Sequence, residues 1–183
     1  PGIAKKEVIV IWALNRQIPI ISDIELFGRY AKAPIIGITG SNGKSTVTQL
    51  LGEMAIIDQV NTVICGNIGK PVMTSLSEDA ELYIVELSSY QLDYTSNLTL
   101  LAGVITNISP DHLDRYLSYD DYISSKLSIY NYCKYRVINL EDDLVSKVEG
   151  DNFYSVGNHD ERSNFNVKKI GDLYEIFHQG SLV

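Results

Sequence analysis

Cysteine is scarce. Cys65 and Cys133 are the only two in 183 residues, so at most one disulfide can form and a disulfide-stapled secreted scaffold is excluded. Long hydrophobic runs are missing as well. The longest, Val8–Leu14 (VIVIWAL), falls well short of the ~20 apolar residues that a membrane-spanning helix needs. No basic stretch followed by an apolar segment and a small-residue cleavage site marks a secretory leader. These absences lead us to expect a reduced, cytoplasmic protein with no membrane partner. Positive charge is in deficit, with 15 Lys and Arg against 23 Asp and Glu and a formal net charge of −8. A broadly acidic surface disfavours a nucleic-acid partner, although local basic spots are compatible with it. An initiator methionine is lacking too, since the chain opens at Pro1, which points to processing or to a piece of a longer polypeptide.

What is present suffices for one sizeable domain and not for two. Hydrophobic residues make up 45% of the chain. The segment from Lys5 to Gln17 reads as a helix and Ile18–Ile21 as a short strand. Ser22 or Asp23 caps a helix running to about Tyr30, with Glu25 near its positive end. Ile35–Thr39 is a central strand, followed by glycine-rich sequence and a helix over Ser45–Ile57. Thr62–Cys65 precedes a turn. Leu82–Leu87 and Leu100–Thr106 have the near-continuous hydrophobicity of strands buried on both faces, Tyr119–Cys133 is a helix candidate, and Arg136–Leu140 is a further strand. From about Asn152 short strands take over, with turns expected at Gly157–Asn158 and Gly171–Asp172 and an antiparallel edge or hairpin at Leu173–Phe177. Alternating strands and helices predict an α/β fold, a mostly parallel sheet with helices on both faces and a small antiparallel portion near the C-terminus.

The strongest local signal is Gly37-Ile38-Thr39-Gly40-Ser41-Asn42-Gly43-Lys44-Ser45. We read it as the G-x-x-x-x-G-K-[ST] phosphate loop, with Gly37 as its first glycine and Thr46 following. Strand, loop and helix stand in the order this site needs. Backbone N–H groups from Gly40 to Gly43 can enclose phosphate oxygens, the helix N-terminus adds positive field, Lys44 can reach the terminal phosphates and Ser45 can ligate magnesium. This order favours a nucleotide site over a plain glycine turn with a solvent-facing lysine.

Downstream residues would decide the reaction, and spacing alone leaves each of them open. Glu86, near a strand end, is either a cation ligand or an edge glutamate reaching solvent. His112, between Asp111 and Asp114, either offers a nitrogen to a metal or belongs to a surface turn begun by Pro110. Lys126 shares a helix side with Tyr122, Ile129 and Tyr130, where a snorkelling surface lysine is the plain reading. Asn67 either faces a ligand or reverses the chain, and Ser88 and Ser89 either bind an anion or cap the next turn.

Taken together, SDIELF (Ser22–Phe27), GITGSNGKST (Gly37–Thr46), GNIGKP (Gly66–Pro71), ELSSYQL (Glu86–Leu92), NISPDHLDRY (Asn107–Tyr116) and SKLSIY (Ser125–Tyr130) resemble the Mur ligase family. The resemblance covers most of residues 1–140 and weakens thereafter. SDIELF, GNIGKP and ELSSYQL point within the family to the branch that adds D-glutamate. Tyr90 stands where phenylalanine is common.

The resemblance implies a P-loop ATPase-like central domain over residues 1–183, incomplete at its C-terminal end, with the N-terminal UDP-binding and C-terminal amino-acid-binding domains absent. It implies an ATP-dependent ligase that joins D-glutamate to UDP-N-acetylmuramoyl-L-alanine through an acyl phosphate, in a monomeric cytoplasmic enzyme. In such a site Lys44 and Ser45 would hold ATP and one magnesium ion, Glu86 the same ion, and His112 a second. Lys126 would be N-carbamoylated beside that second ion, while Asn67 and Ser88 or Ser89 would contact the UDP-muramoyl substrate. Another Mur or folate-polyglutamate type ligase, or a nucleotide-binding domain without catalysis of its own, are the alternatives.

Overall fold

Near-continuous apolar runs form the parallel strands, because a strand covered on both faces has no polar side to alternate. In the computed structural model, which describes residues 3–158, 163–170 and 173–183, these are β1 (Ile35–Thr39), β2 (Thr62–Gly66), β3 (Leu82–Glu86), β4 (Leu100–Ile105) and β5 (Cys133–Asn139). β6 (Phe153–Asn158) and β7 (Phe165–Ile170) continue the sheet in parallel, whereas β8 (Leu173–His178) and β9 (Ser181–Leu182) are antiparallel. Among the described residues the strand order is β2-β3-β1-β4-β5-β6-β7-β8-β9. The chain leaves β1 to one side for β2 and β3, then crosses to the other side for β4. Such a reversal opens a crevice beyond the carboxyl ends of the strands, where α/β sheets hold ligands.

Five helices accompany the sheet among the described residues: α1 (Val8–Asn15), α2 (Asp23–Tyr30), α3 (Lys44–Ile57), α4 (Ser89–Leu92) and α5 (Tyr119–Leu127). Alternation along β2 separates the two faces. Cys65, with Val63 packed against it, belongs to the core cluster that also holds Ile24 and Phe27 of α2, Tyr83 and Val85 of β3, and Tyr122 of α5. Ile64 faces α3, whose Gly52 approaches so closely that a Cβ would fall 2.2 Å from Ile64 Cδ1. Helices therefore cover both faces, as expected. Ser22 caps α2 by accepting the Glu25 N–H at 3.0 Å. Glu25 itself, 1% exposed, does more than sit at a positive helix end. Its carboxylate accepts the Ser96 N–H at 2.6 Å and pairs with Arg29 at 2.7 Å, tying α2 to the 96–97 turn.

Several boundaries differ from expectation. Residues 18–21 form no strand: Pro19 has no N–H for a ladder, and the following Ser22 N–H goes to Tyr94 O. The first helix is confined to α1, closed by Gln17 at φ 56°. The segment 119–133 is helical only to Leu127, then tightens into a 3₁₀ turn (Ser128–Asn131), and Cys133 already opens β5. Gly157–Asn158 is no turn but the end of β6, paired with Asn166 and Val167 of β7. Gly171–Asp172 lies outside the described residues, although Ile170 and Leu173 on either side pair in the expected antiparallel register.

Candidate functional site

β1 delivers the chain into a loop that only glycine fits at two points. Gly40 has φ 147°, and a Cβ there would lie 1.9 Å from Thr106 Oγ1. Gly43, at φ 78°, is the N-cap of α3. Gly37 is not part of this loop. It lies inside β1, and five residues rather than four separate it from Gly43, so the phosphate loop begins at Gly40. The bulk of Leu100 and Leu87 explains Gly37 instead, since their side chains would stand 2.8 and 2.9 Å from its Cβ.

Five side chains gather at the loop. Lys44 Nζ donates to the carbonyls of Gly40 and Ser41, both at 2.9 Å. Lys126 Nζ donates to the same Gly40 carbonyl at 2.7 Å, and with 2% exposure it is far from a snorkelling surface residue. Burial, reinforced by the Lys44 charge and opposed by Asp111 and Glu86, lowers its pKa from 10.5 to about 7. Ser45 Oγ donates to Glu86 Oε2 at 2.7 Å, and Asn67 Nδ2 to Glu86 Oε1 at 2.9 Å. Glu86 is 2% exposed at the end of β3, so it is not an edge glutamate in water. Its two oxygens hold the helix start and the 67–70 turn together.

The wall beside this set is aromatic. Tyr122, fully buried, shares a 2.8 Å hydrogen bond between its hydroxyl and Ser41 Oγ, and its ring lies 4.8 Å from Lys126 Nζ. Tyr116 packs edge-on to Tyr122, and Tyr90 lies near Tyr116. The Tyr90 ring carries Arg115 at 3.9 Å and faces His112 at 5.2 Å. His112 is half exposed, with backbone φ 52° and Nε2 3.4 Å from Asp111 Oδ2. It stands beside Tyr90 and Asp111 at the exposed edge of this wall, and the charge of Asp111 also acts on Lys126. Tyr90, Arg115 and Tyr116 also wall a neighbouring cavity of about 480 Å3 with Asp93, Ser125 and Tyr132.

Ser88 caps α4 in a reciprocal box with Gln91, and Ser89 is 3% exposed with its carbonyl accepting from Ser125 Oγ. Sequence reasoning passed over Tyr122, whose hydroxyl meets Ser41, and Asn107, whose side-chain amide hydrogen-bonds both the N–H and the carbonyl of Asn42. The i, i+4 spacing of Tyr122 and Lys126 was the available signal for the first.

Residues 38–180 match the family described as the Mur ligase middle domain. The chain belongs to that family. It is 49% identical over 144 residues to the UDP-N-acetylmuramoylalanine–D-glutamate ligase of Haemophilus influenzae, across 79% of this chain and 33% of that protein. It is 48% identical over 151 residues to the protein of the same name from Escherichia coli strain K12, across 82% and 34%. The chain thus spans about a third of the length of the curated relatives it matches. Its fold is shared with a solved UDP-N-acetylmuramoyl-L-alanyl-D-glutamate–2,6-diaminopimelate ligase, with TM-score 0.68 and 18% identity over 94% of this chain and 40% of that one. A second likeness is to the UDP-N-acetylmuramate:L-alanyl-gamma-D-glutamyl-meso-diaminopimelate ligase of Neisseria meningitides, with TM-score 0.69 and 14% identity over 100% and 64%.

Two side chains of this site, Ser45 and Glu86, carry oxygens of the kind that ligate magnesium. Ser45 Oγ and Glu86 Oε2 are already in contact, and Mg2+ is commonly held by one or two protein oxygens with phosphates and water completing an octahedron. Among the described residues, no three His, Cys, Asp or Glu side chains gather into a cation site, so an ion here would depend on the nucleotide for the rest of its shell. No described helix is long and apolar enough to cross a membrane.

Proposed function

We propose that this chain is the central ATP-binding domain of a monomeric cytoplasmic ligase that joins D-glutamate to UDP-N-acetylmuramoyl-L-alanine during peptidoglycan precursor synthesis. Its N-terminal UDP-binding and C-terminal amino-acid-binding domains would lie outside these 183 residues. The observation that carries the reading is the Ser45–Glu86–Asn67 hydrogen-bonded set beside Lys44 and Lys126. It occurs in a chain 48–49% identical to proteins named for that reaction.

The reaction proceeds by activation and then amide formation. The terminal carboxylate of the muramoyl substrate attacks the γ-phosphorus of ATP, the bond to the β–γ bridging oxygen breaks, and an acyl phosphate and ADP result. The amine of D-glutamate then adds to the acyl carbon, loses a proton and expels phosphate. Lys44 leaves the Gly40 and Ser41 carbonyls to meet the phosphate oxygens, where its charge counts most as negative charge shifts towards ADP. Ser45 and Glu86 would hold Mg2+, which when bound would offset polyphosphate charge. Asn67, Ser88 and Ser89 orient the UDP-muramoyl substrate.

The buried amine of Lys126, half neutral near pH 7, suits N-carbamoylation. The lone pair of the neutral amine attacks CO2, the N–C bond forms as one C=O π bond opens onto oxygen, one proton leaves the nitrogen and a neutral amine becomes an anion; from the ammonium form two protons leave in all. With His112 at the exposed edge of the aromatic wall, that anion would serve a second magnesium ion. Neutrality at Lys126 supports this reading because a protonated lysine has no lone pair to give.

Amino-acid competition tests the assignment. Full-length protein supplied with UDP-N-acetylmuramoyl-L-alanine, ATP and magnesium should form product with D-glutamate and not with L-alanine, meso-diaminopimelate or L-lysine. Equal turnover with any of the three would overturn it. Mass spectrometry of the intact protein in bicarbonate should show a 44 Da adduct (the mass of the CO2 added in the carbamate) that Lys126→Ala abolishes.

A further inference from the structure

We infer that Asn107 is a positioning residue that sets the direction of the Gly43 amide in the phosphate loop; the inference rests on the nucleotide reading above. Asn107 follows β4, on the strand beside β1, and meets Asn42 from both sides. Its Oδ1 accepts the Asn42 N–H at 2.9 Å, and its Nδ2 donates to the Asn42 carbonyl at 2.9 Å. The Asn107 backbone carbonyl accepts the Ser41 N–H at 2.9 Å. Thr106 Oγ1 adds a second donor to the Asn42 carbonyl at 2.6 Å.

These contacts have a directional consequence. The Asn42 carbonyl and the Gly43 N–H belong to one planar trans peptide, in which the two groups point in opposite directions. Holding the carbonyl against Thr106 and Asn107 therefore turns the Gly43 N–H away from β4. Two loop amides, those of Ser41 and Asn42, are spent on Asn107. Anion binding falls to the Gly43 amide and to the first turn of α3, whose N–H groups have no partner within the helix. Gly43, in a left-handed conformation with open space where its Cβ would be, has the backbone freedom to rotate that peptide if the brace is removed. A side-chain amide fits this task because it alone offers a donor and an acceptor at the spacing of a peptide.

The test uses Mg·ADP binding, which needs no turnover, measured by calorimetry on the full-length parent chain and on its Asn107→Ala, Thr106→Val and Thr106→Ser variants. We expect about a tenfold loss of affinity for Asn107→Ala, the scale of one or two hydrogen bonds. Thr106→Val should lose a few-fold, and Thr106→Ser, which keeps the hydroxyl, should recover it. The Gly43 amide resonance, which should move on adding Mg·ADP to the parent chain, should respond weakly in Asn107→Ala while the resonances of β1 and β3 stay in place. Unchanged affinity and an unchanged Gly43 response in Asn107→Ala, with the parent chain binding normally, would overturn the positioning role. General loss of amide dispersion would do the same, by making Asn107 a structural residue. Failure of the parent chain to bind Mg·ADP would instead sink the nucleotide reading, and the inference with it.

Discussion

The two ends of the sheet differ in what covers them. Around β1, β3 and β4 the strands are enclosed on both faces: Ile38, Ile84 and Ile105 are fully buried. At the other end, Leu173, Tyr174, Ile176 and Leu182 of β8 and β9 are 53–70% exposed. Polar groups differ in step with this. The enclosed end holds Glu86 and Lys126 at 2% exposure, linked to the loop by hydrogen bonds of 2.7 Å. Burial is what gives these groups altered chemistry, because a charge removed from water must find a partner or change its protonation. The hairpin end, with water on its outer surface, has no means of doing this.

The contrast can be broken most severely by excavating the enclosed end. Leu87→Ala, at a side chain fully buried above Gly37, should cost ~2–5 kcal/mol in urea unfolding. A cost below ~1 kcal/mol would mean that the core there collapses easily. Lys44→Ala should slow the nucleotide-dependent reaction of the full-length protein by ~10²–10³-fold, read in single-turnover phosphate release. A smaller loss would show that Lys44 stays on its own loop carbonyls during the reaction.

Acidity sharpens the comparison further. The folded pKa of Lys126 is lowered to about 7 from 10.5, so between those values the unfolded chain binds more protons than the folded one. Stability from this group is therefore fully present above pH 10.5 and is lost as pH falls through 7. Urea midpoints of the parent chain relative to Lys126→Met should rise from pH 6 to pH 9. A flat difference would refute the buried neutral amine.

Tyr122→Phe removes one hydrogen bond to Ser41 and should cost ~1 kcal/mol, with a loop amide pattern disturbed near Ser41 in NMR spectra. Smallest of all, Leu173→Ser at the hairpin end should stay within ~0.5 kcal/mol. A larger loss would show that this surface is covered in solution.

Much of the architecture was legible before any coordinates. Apolar runs marked β1, β3 and β4 to within a residue or two, because a strand buried on both faces cannot hide its composition. Ser22 announced α2, since a cap is a local hydrogen bond. Boundaries failed where local pattern was contradicted by a neighbour. Pro19 spoiled an apolar run that looked like a strand, and Gly157–Asn158 carried turn residues that β7 recruited into a ladder.

The sequence by itself determined the fold class, the presence of a glycine-rich loop closed by Lys44 and Ser45, and the family; that the loop begins at Gly40 and not at Gly37 was decided by the structure. Each of the first three follows from residues close together in the chain, whose spacing already encodes their geometry. Only the tertiary structure decided which chemistry-bearing residues touch. Ser45 meets Glu86 across 41 positions and Lys126 meets Gly40 across 86. No periodicity reports such a distance, and a lysine on a helix looks the same in sequence whether water or a fully buried tyrosine lies beside it. Burial is a property of the assembled neighbours, and burial is what turns Lys126 from a surface cation into an amine that titrates near neutrality.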